Sequence, residues 1–149
     1  MKKLTAILPA LLLTGGLACS KSEPPPPTTL PATTLPAPVQ VSGVALGNAI
    51  GADKKVTAAL ESFGAKDTIY ASVESAGTGH AKLRALWSFV KGEKTAKVDE
   101  TTIELDSAAP AVNEFHISKP SGWPKGDYKV EVFLGDAASP AMTKTFKVN

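Results

Sequence analysis

The segment from Phe115 to Leu134 constrains the fold most, because it reads as one strand, a loop and a second strand: FHISKPSGWPKGDYKVEVFL. From Tyr128 onward, Val130, Val132 and Leu134 continue one side of the chain, and Lys129, Glu131 and Phe133 occupy the other. This period of two is typical of a strand with one buried face and one face in solvent. Gly126 and Tyr128 open that strand. We therefore predict a β domain in which both residues are structural.

Further short segments of this kind lie between turns rich in Gly, Pro and Asp. Residues 76–79 are predicted to be a hairpin-like connection. The segment from Asp53 to Phe63 fits either an amphipathic helix or an edge strand, and the β character of the remainder favours the strand. The segment that contains Gly43, Gly47 and Gly51 is predicted to be an edge strand weakened by its glycines, rather than a helix-packing motif. The other predicted strands are 68–74, 82–90, 101–105, 112–118, 128–134 and 144–148.

Trp87 points inward from the predicted strand 82–90. The order Phe63-x-x-x-Asp67-Thr68-Ile69-Tyr70, then Trp87, then FHISKPSGWPKGDY resembles small bacterial envelope proteins with an immunoglobulin-like or fibronectin-like domain. The resemblance covers about residues 60–148. It implies an all-β, about seven-stranded immunoglobulin-like β-sandwich, with Trp87 as the central aromatic. It also implies that Tyr128 is a tyrosine corner, whose hydroxyl bonds back to the preceding connection. It implies no particular activity.

The N-terminus predicts export and lipid anchoring. Residues 1–18 combine two lysines, an apolar run and small residues, as in a bacterial signal peptide. The run ends at Leu17-Ala18-Cys19-Ser20, which resembles the lipobox of bacterial lipoproteins, and the resemblance implies that Cys19 is acylated. Cys19 is the only cysteine, so an intramolecular disulfide is impossible. The alternative is a chance cysteine left as a free thiol after cleavage nearby.

Residues 19–40 are predicted to form a tether, because Pro, Thr and Ala dominate and Thr-Thr-Leu-Pro-Ala occurs twice in tandem. Such a tract favours extended polyproline geometry and would span about 50 Å. A ligand for a proline-recognising domain is the alternative. Residues 41–149 then form the β-sandwich domain, which is large enough for its own core.

The charge balance gives no reason to expect nucleic acid as a partner. Removal of residues 1–18 takes away Lys2 and Lys3 and leaves 14 basic against 14 acidic residues. The basic character of the full chain therefore belongs to its signal peptide.

No catalytic constellation is evident, so we predict that the protein is not an enzyme and has no cofactor. His80 and His116 lie on different predicted segments without the further ligands that a metal site needs. The acidic pairs Asp99-Glu100 and Glu104-Asp106 flank a solvent-facing strand and are predicted to form a hydrated edge.

Four residues are candidates for binding. If strand 82–90 lies beside strand 128–134, as in the immunoglobulin arrangement, Leu86 and Phe133 share the outer face of one sheet, as an apolar patch with a charged rim. Trp123 either closes the end of the sandwich or projects as a loop anchor, and Tyr70 would join it in a glycan site.

The expected function is a membrane-anchored, non-enzymatic protein-binding or accessory domain, with a glycan or small-ligand binding module as the alternative. The membrane is contacted through the N-terminal lipid, and an envelope protein is the predicted partner. A serine directly after the acylated cysteine, here Ser20, resembles the sequence of outer-membrane lipoproteins. The following Lys21-Ser22 instead resembles the sequence of some lipoproteins that are retained in the inner membrane. The predicted location is the periplasmic face of either membrane.

Overall fold

A computed structural model describes residues 37–108 and 110–149. They belong to one compact unit, Thr34–Asn149. The predicted signal peptide, Cys19 and all but the last residues of the predicted tether lie outside the described residues. Within the described ranges, no helix is long and apolar enough to cross a membrane.

The described residues form eight β-strands and no α-helix, arranged as two sheets of a β-sandwich. One sheet has three strands in the order β1-β3-β6, and the other has five in the order β2-β8-β7-β4-β5. The strands are β1 (Gln40–Gly47), β2 (Ser62–Phe63), β3 (Ile69–Ala76), β4 (Gly79–Lys91), β5 (Lys94–Ser107), β6 (Ala111–Ile117), β7 (Gly126–Leu134) and β8 (Met142–Val148).

The core lies between the two sheets. It is formed mainly by every second side chain along the strands, on the face that is turned toward the other sheet. Trp87 is fully buried at the centre of the five-stranded sheet, where β4 pairs with β7. Its ring meets Phe146 edge-on, with the ring centroids 6.0 Å apart. The predicted inward positions of β3 are confirmed, since all three are fully buried: Ile69, Ala71 and Val73.

Three local predictions need correction. The segment 53–63 is neither helix nor strand until Ser62–Phe63, because a turn in which the Gly51 N–H donates to the Lys55 carbonyl returns the chain toward β1. Residues 76–79 do not form a hairpin, because they cross from β3 in one sheet to β4 in the other. The fifth strand is much longer than predicted, since it begins at Lys94 rather than Thr101.

The predicted Gly-rich edge strand is confirmed in β1. It lies at the edge of the three-stranded sheet, and its pairing with β3 is irregular between Val41 and Gly43. Gly43 and Gly47 fall within β1, whereas Gly51 lies in the turn that follows.

Candidate functional site

The two sheets are unequal in width, and this leaves one side of the sandwich incomplete. On one side, β1 of the narrow sheet lies against β8 of the wide sheet. On the other side, β5 and β6 are the last strands of their sheets, and neither pairs with a further strand among the described residues. We call this side the open corner, defined by the inner face of β5 (Lys94–Ser107) and the free edge of β6 (Ala111–Ile117).

The inner face of β5 becomes progressively less covered along the strand. Leu105 is buried, Ile103 is half-buried, and Thr101 is exposed. Val98 is 36% exposed, which makes it the large apolar side chain most open to solvent among the described residues. The inward side chains of β5 are therefore covered by the rest of the domain only near the C-terminal end of the strand.

A groove of about 680 Å³ occupies the part of the open corner between Val98 and the C-terminal end of β6. Its two sides are β5 around Val98 and the segment that follows β6. Basic and acidic groups border the groove beside aromatic rings. It is lined by Phe89, Lys97, Val98, Asp99, His116, Ile117, Ser118, Lys119, Trp123, Pro124 and Tyr128.

The floor of the groove is held by hydrogen bonds from two aromatic side chains. The Tyr128 hydroxyl donates to the Pro124 carbonyl at 2.8 Å, which confirms the predicted bond to the preceding connection. The Trp123 indole N–H donates to the Asp67 carbonyl at 2.8 Å, and its ring meets Tyr128 edge-on at 6.2 Å between centroids. The connection before β7 is thereby fixed to the turn before β3.

Trp123 is 6% exposed and closes this end of the sandwich, so the interpretation as a projecting anchor is wrong. The flanking Gly122 and Pro124 suggested an exposed loop. The backbone N–H of Trp123 instead donates to the Ala65 carbonyl at 2.7 Å and draws the loop inward.

Burial raises the pKa of the Tyr128 hydroxyl above its usual value. Because the folded state holds this proton more tightly than the unfolded chain, Tyr128 contributes stability below the unfolded pKa of about 10, and this contribution is lost as pH rises through the folded pKa.

We expect Tyr128→Phe to cost about 1–3 kcal/mol of unfolding free energy at neutral pH, because the Pro124 carbonyl loses its donor. Denaturant unfolding at pH 7 and at higher pH measures both effects. The difference in stability between wild type and Tyr128→Phe should shrink as the pH rises above about 10. A difference independent of pH would contradict the assigned burial of the hydroxyl.

Charged side chains on the outer face of β5 are paired with groups on neighbouring positions. Glu100 accepts hydrogen bonds from Lys97 and from Arg84 of β4, and these two cations lower the pKa of the Glu100 carboxyl. Lys82 lies 3.6 Å from Glu104. The predicted hydrated acidic edge is confirmed by the position of β5 at the sheet edge and by its exposure.

Leu86 and Phe133 share the outer face of the five-stranded sheet, as predicted, because β4 and β7 are neighbours. They do not form an exposed apolar patch. The Arg84 guanidinium lies 4.1 Å from the centroid of the Phe133 ring, and Phe133 is only 7% exposed. Leu86 is itself half-buried. The long side chains of the predicted rim thus cover the patch that they were expected to surround.

Tyr70 is half-buried on the outer face of the three-stranded sheet, with its ring centroid 5.5 Å from that of His116. His116 Nδ1 lies 2.8 Å from Glu114 Oε1. Trp123 is an interior side chain, so Tyr70 and Trp123 do not present a shared aromatic surface. The predicted glycan site therefore loses one of its two aromatic contacts.

The two histidines lie in different sheets, His80 on β4 and His116 on β6. Across residues 37–108 and 110–149, no group of three or more His, Cys, Asp or Glu side chains could hold a metal ion.

Asn113 was not among the residues predicted from the sequence. Its side chain is 9% exposed on β6, and its Nδ2 has no hydrogen-bond partner in the described part of the chain. An inward polar residue between Phe115 and Ala111 was the available signal, since buried amides normally have partners.

No protein-family model matches the chain. A comparison with curated proteins also finds no match. Solved structures with partial similarity include a β-glucosidase from Erythrobacter marinus, with 9% identity and a TM-score of 0.48 over 76% of this chain and 16% of that chain. A β-glucosidase from Listeria innocua has 8% identity and a TM-score of 0.46, over 74% of this chain and 16% of that one.

An alkylpurine DNA glycosylase from Pseudomonas fluorescens has 15% identity and a TM-score of 0.46, over 76% of this chain and 31% of that one. The chain spans less than a third of the length of these three solved chains. Similarity at this level does not bear on activity.

Proposed function

We propose that this chain is a lipid-anchored, non-enzymatic protein-binding domain of the bacterial cell envelope, and that it binds protein at the open corner. The observation that carries the proposal is that β5 and β6 are edge strands, each with one free edge among the described residues, and that they border the same side of the sandwich. Sheet edges of this kind bind extended polypeptide by adding a strand. Main-chain hydrogen bonds then provide affinity, and adjacent side-chain positions provide selectivity.

We further propose that the sandwich is of the immunoglobulin-like class. Support comes from Trp87, which is buried on the strand beside β7, and from the Tyr128 hydroxyl, which bonds to Pro124. The strand order also separates β1, β3 and β6 from β8, β7 and β4, as expected of a Greek-key sandwich with two sheets.

The position of Ala37 supports display of the open corner. Ala37, the first described residue, accepts a hydrogen bond at 2.9 Å from the N–H of Thr78 in the β3–β4 connection. The groove lies at the other end of β3, beside the partner of Tyr70, His116. A chain acylated at Cys19 and extended through a Pro-rich tether would therefore attach at the end of the domain away from the groove.

The test is crosslinking in intact cells, followed by affinity purification of the tagged full chain. Two neighbouring substitutions on β5 form a matched pair: Thr101→Lys places a charge on its inner face, and Thr102→Lys places one on its outer face. Both residues are exposed, so neither change disturbs the core. We expect Thr101→Lys to lose the crosslinked protein and Thr102→Lys to retain it.

Cys19→Ala tests the anchor separately. We expect this variant to leave the membrane fraction, because a chain without acyl groups has no lipid attachment. Capture that is equal for Thr101→Lys and wild type would exclude the open corner as the binding site. Retention of Cys19→Ala in the membrane fraction would exclude anchoring through Cys19.

A further inference from the structure

We propose that the occupant of the open corner is the open corner of a second copy of this chain, with β6 of each copy pairing with β5 of the other. This inference rests on the proposed function, since it names the protein that the corner binds.

The sheet widths are complementary under a two-fold rotation. One sheet has three strands and the other has five, and β5 is the strand of the wide sheet that extends past β6. A two-fold axis parallel to the strands brings the wide sheet of one copy into line with the narrow sheet of the other. Each layer of the dimer is then one continuous sheet, made of the three-stranded sheet of one copy and the five-stranded sheet of the other. In each layer, β5 of one copy lies beside β6 of the other copy. Such an interface is closed and isologous.

The strand directions allow this pairing. β6 is antiparallel to β3, and β5 is antiparallel to β4. Because β4 starts at the end where β3 stops, β5 runs in the same direction as β3 and opposite to β6. Rotation about an axis parallel to the strands preserves strand direction. β6 therefore meets the second copy's β5 as an antiparallel neighbour, with the hydrogen-bond pattern that such pairs form.

The order of side chains restricts the register. Phe115 faces inward on β6, and Thr101 and Ile103 lie on the inward side of β5. Paired residues in a ladder point to the same side, and only Thr101 or Ile103 opposite Phe115 lets the whole of β6 pair with β5 between its bulge and Ser107. Phe115 opposite Ile103 would place Glu114 opposite Glu104, and directly opposed like charges destabilise a sheet.

Phe115 opposite Thr101 avoids that repulsion. In this register His116 lies opposite Glu100 of the second copy, and Glu114 lies opposite Thr102. The full length of β6, Ala111–Ile117, then pairs with residues 99–105 of β5. The ladder ends immediately before Val98, where the β4–β5 pairing carries its bulge. A bulge on an edge strand interrupts further pairing.

Of the longer edge strands, β6 carries the least protection against added strands. The ladders of β1 and β5 each contain a register shift, whereas the β3–β6 ladder runs without one from Ile69–Ile117 to Ser75–Ala111. β6 also contains no Pro and no Lys, residues that commonly block an exposed edge.

Disulfide trapping tests the register directly. The full chain carrying Cys19→Ala has no cysteine, so Glu114→Cys and Thr102→Cys can be added to it as the only thiols. Within one copy these residues lie on the outer faces of opposite sheets, too far apart for a disulfide. We expect the double variant to form a covalent dimer on mild oxidation and each single variant to stay monomeric. Ala45→Cys with Thr102→Cys is the control, because Ala45 lies on β1, away from the corner.

Sedimentation of the unmodified Cys19→Ala chain measures the equilibrium. We expect a reversible dimer that Thr101→Lys weakens by at least about tenfold, because a lysine there is enclosed between the two β5 strands. Thr102→Lys should dimerise more tightly than Thr101→Lys. Circular dichroism confirms that each variant is folded.

A chain that sediments as a monomer up to about 100 µM and forms no disulfide between positions 102 and 114 would overturn the inference. If Thr101→Lys still abolishes a crosslink to a different protein in cells, the proposed function stands and only the second copy is excluded. If neither assay depends on Thr101, both proposals fail.

Discussion

Trp87→Ala is expected to lower the free energy of unfolding by about 3–5 kcal/mol, the usual cost of removing a large buried aromatic side chain. Trp87 on β4 is fully buried, and its ring packs edge-on against Phe146 on β8. Since small domains are stable by only about 5–15 kcal/mol, a large share of the native chain should be lost. Urea unfolding followed by circular dichroism gives this value.

Trp87→Phe separates packing from hydrogen bonding. The Trp87 indole N–H has no hydrogen-bond partner in the described part of the chain, so replacement by Phe removes volume without leaving an acceptor unpaired. Trp123→Phe is the matched comparison, because the Trp123 N–H donates to the Asp67 carbonyl. We expect Trp123→Phe to lose an additional contribution of about 1 kcal/mol from that hydrogen bond. A Trp87→Phe variant as unstable as Trp87→Ala would contradict the view that ring packing dominates.

Gly126→Ala is the second substitution with a large expected effect. Gly126 has a φ of +147°, and a Cβ there would lie 2.7 Å from Cε2 of Phe89. Backbone strain and overpacking each cost about 1–3 kcal/mol, so the combined loss should exceed that of either alone. Thermal and urea unfolding of Gly126→Ala measure the loss.

Gly92→Ala is the control for that substitution. Gly92 also has a positive φ, +62°, but a Cβ there meets nothing within 4 Å. We expect it to cost only about 1–2 kcal/mol, the strain of a left-handed residue. Equal losses for Gly92→Ala and Gly126→Ala would show that contact with Phe89 adds nothing. Gly126→Ala/Phe89→Leu should recover part of the loss if the contact matters.

The period-two pattern predicted the strands whose two faces have different surroundings. β3 and β7 alternate because one side of each packs in the core and the other meets polar groups. The same pattern made Leu86 and Phe133 outward residues, and the immunoglobulin strand order placed them on one face. It did not show that Arg84 would cover Phe133, because that contact joins two strands that are distant in sequence.

The first half of β5 gave no such signal. Residues from Lys94 to Glu100 are exposed on both sides, so their polar sequence resembles a loop. They form a strand because β4 supplies a neighbouring ladder that continues to Lys91. A long edge strand of this kind is stabilised by its hydrogen-bonded neighbour rather than by its own apolar residues.

The residues by themselves determined an all-β chain and the inward positions of its strands, because these depend on local alternation along the chain. The bond from Tyr128 was implied by the resemblance to immunoglobulin-like domains. Only the tertiary structure decided that Trp123 is buried, that the sheets have unequal widths and that β5 and β6 border one open corner. These features depend on which strands become neighbours. Strand neighbours are chosen by the packing of the whole core, which no single segment of the sequence contains.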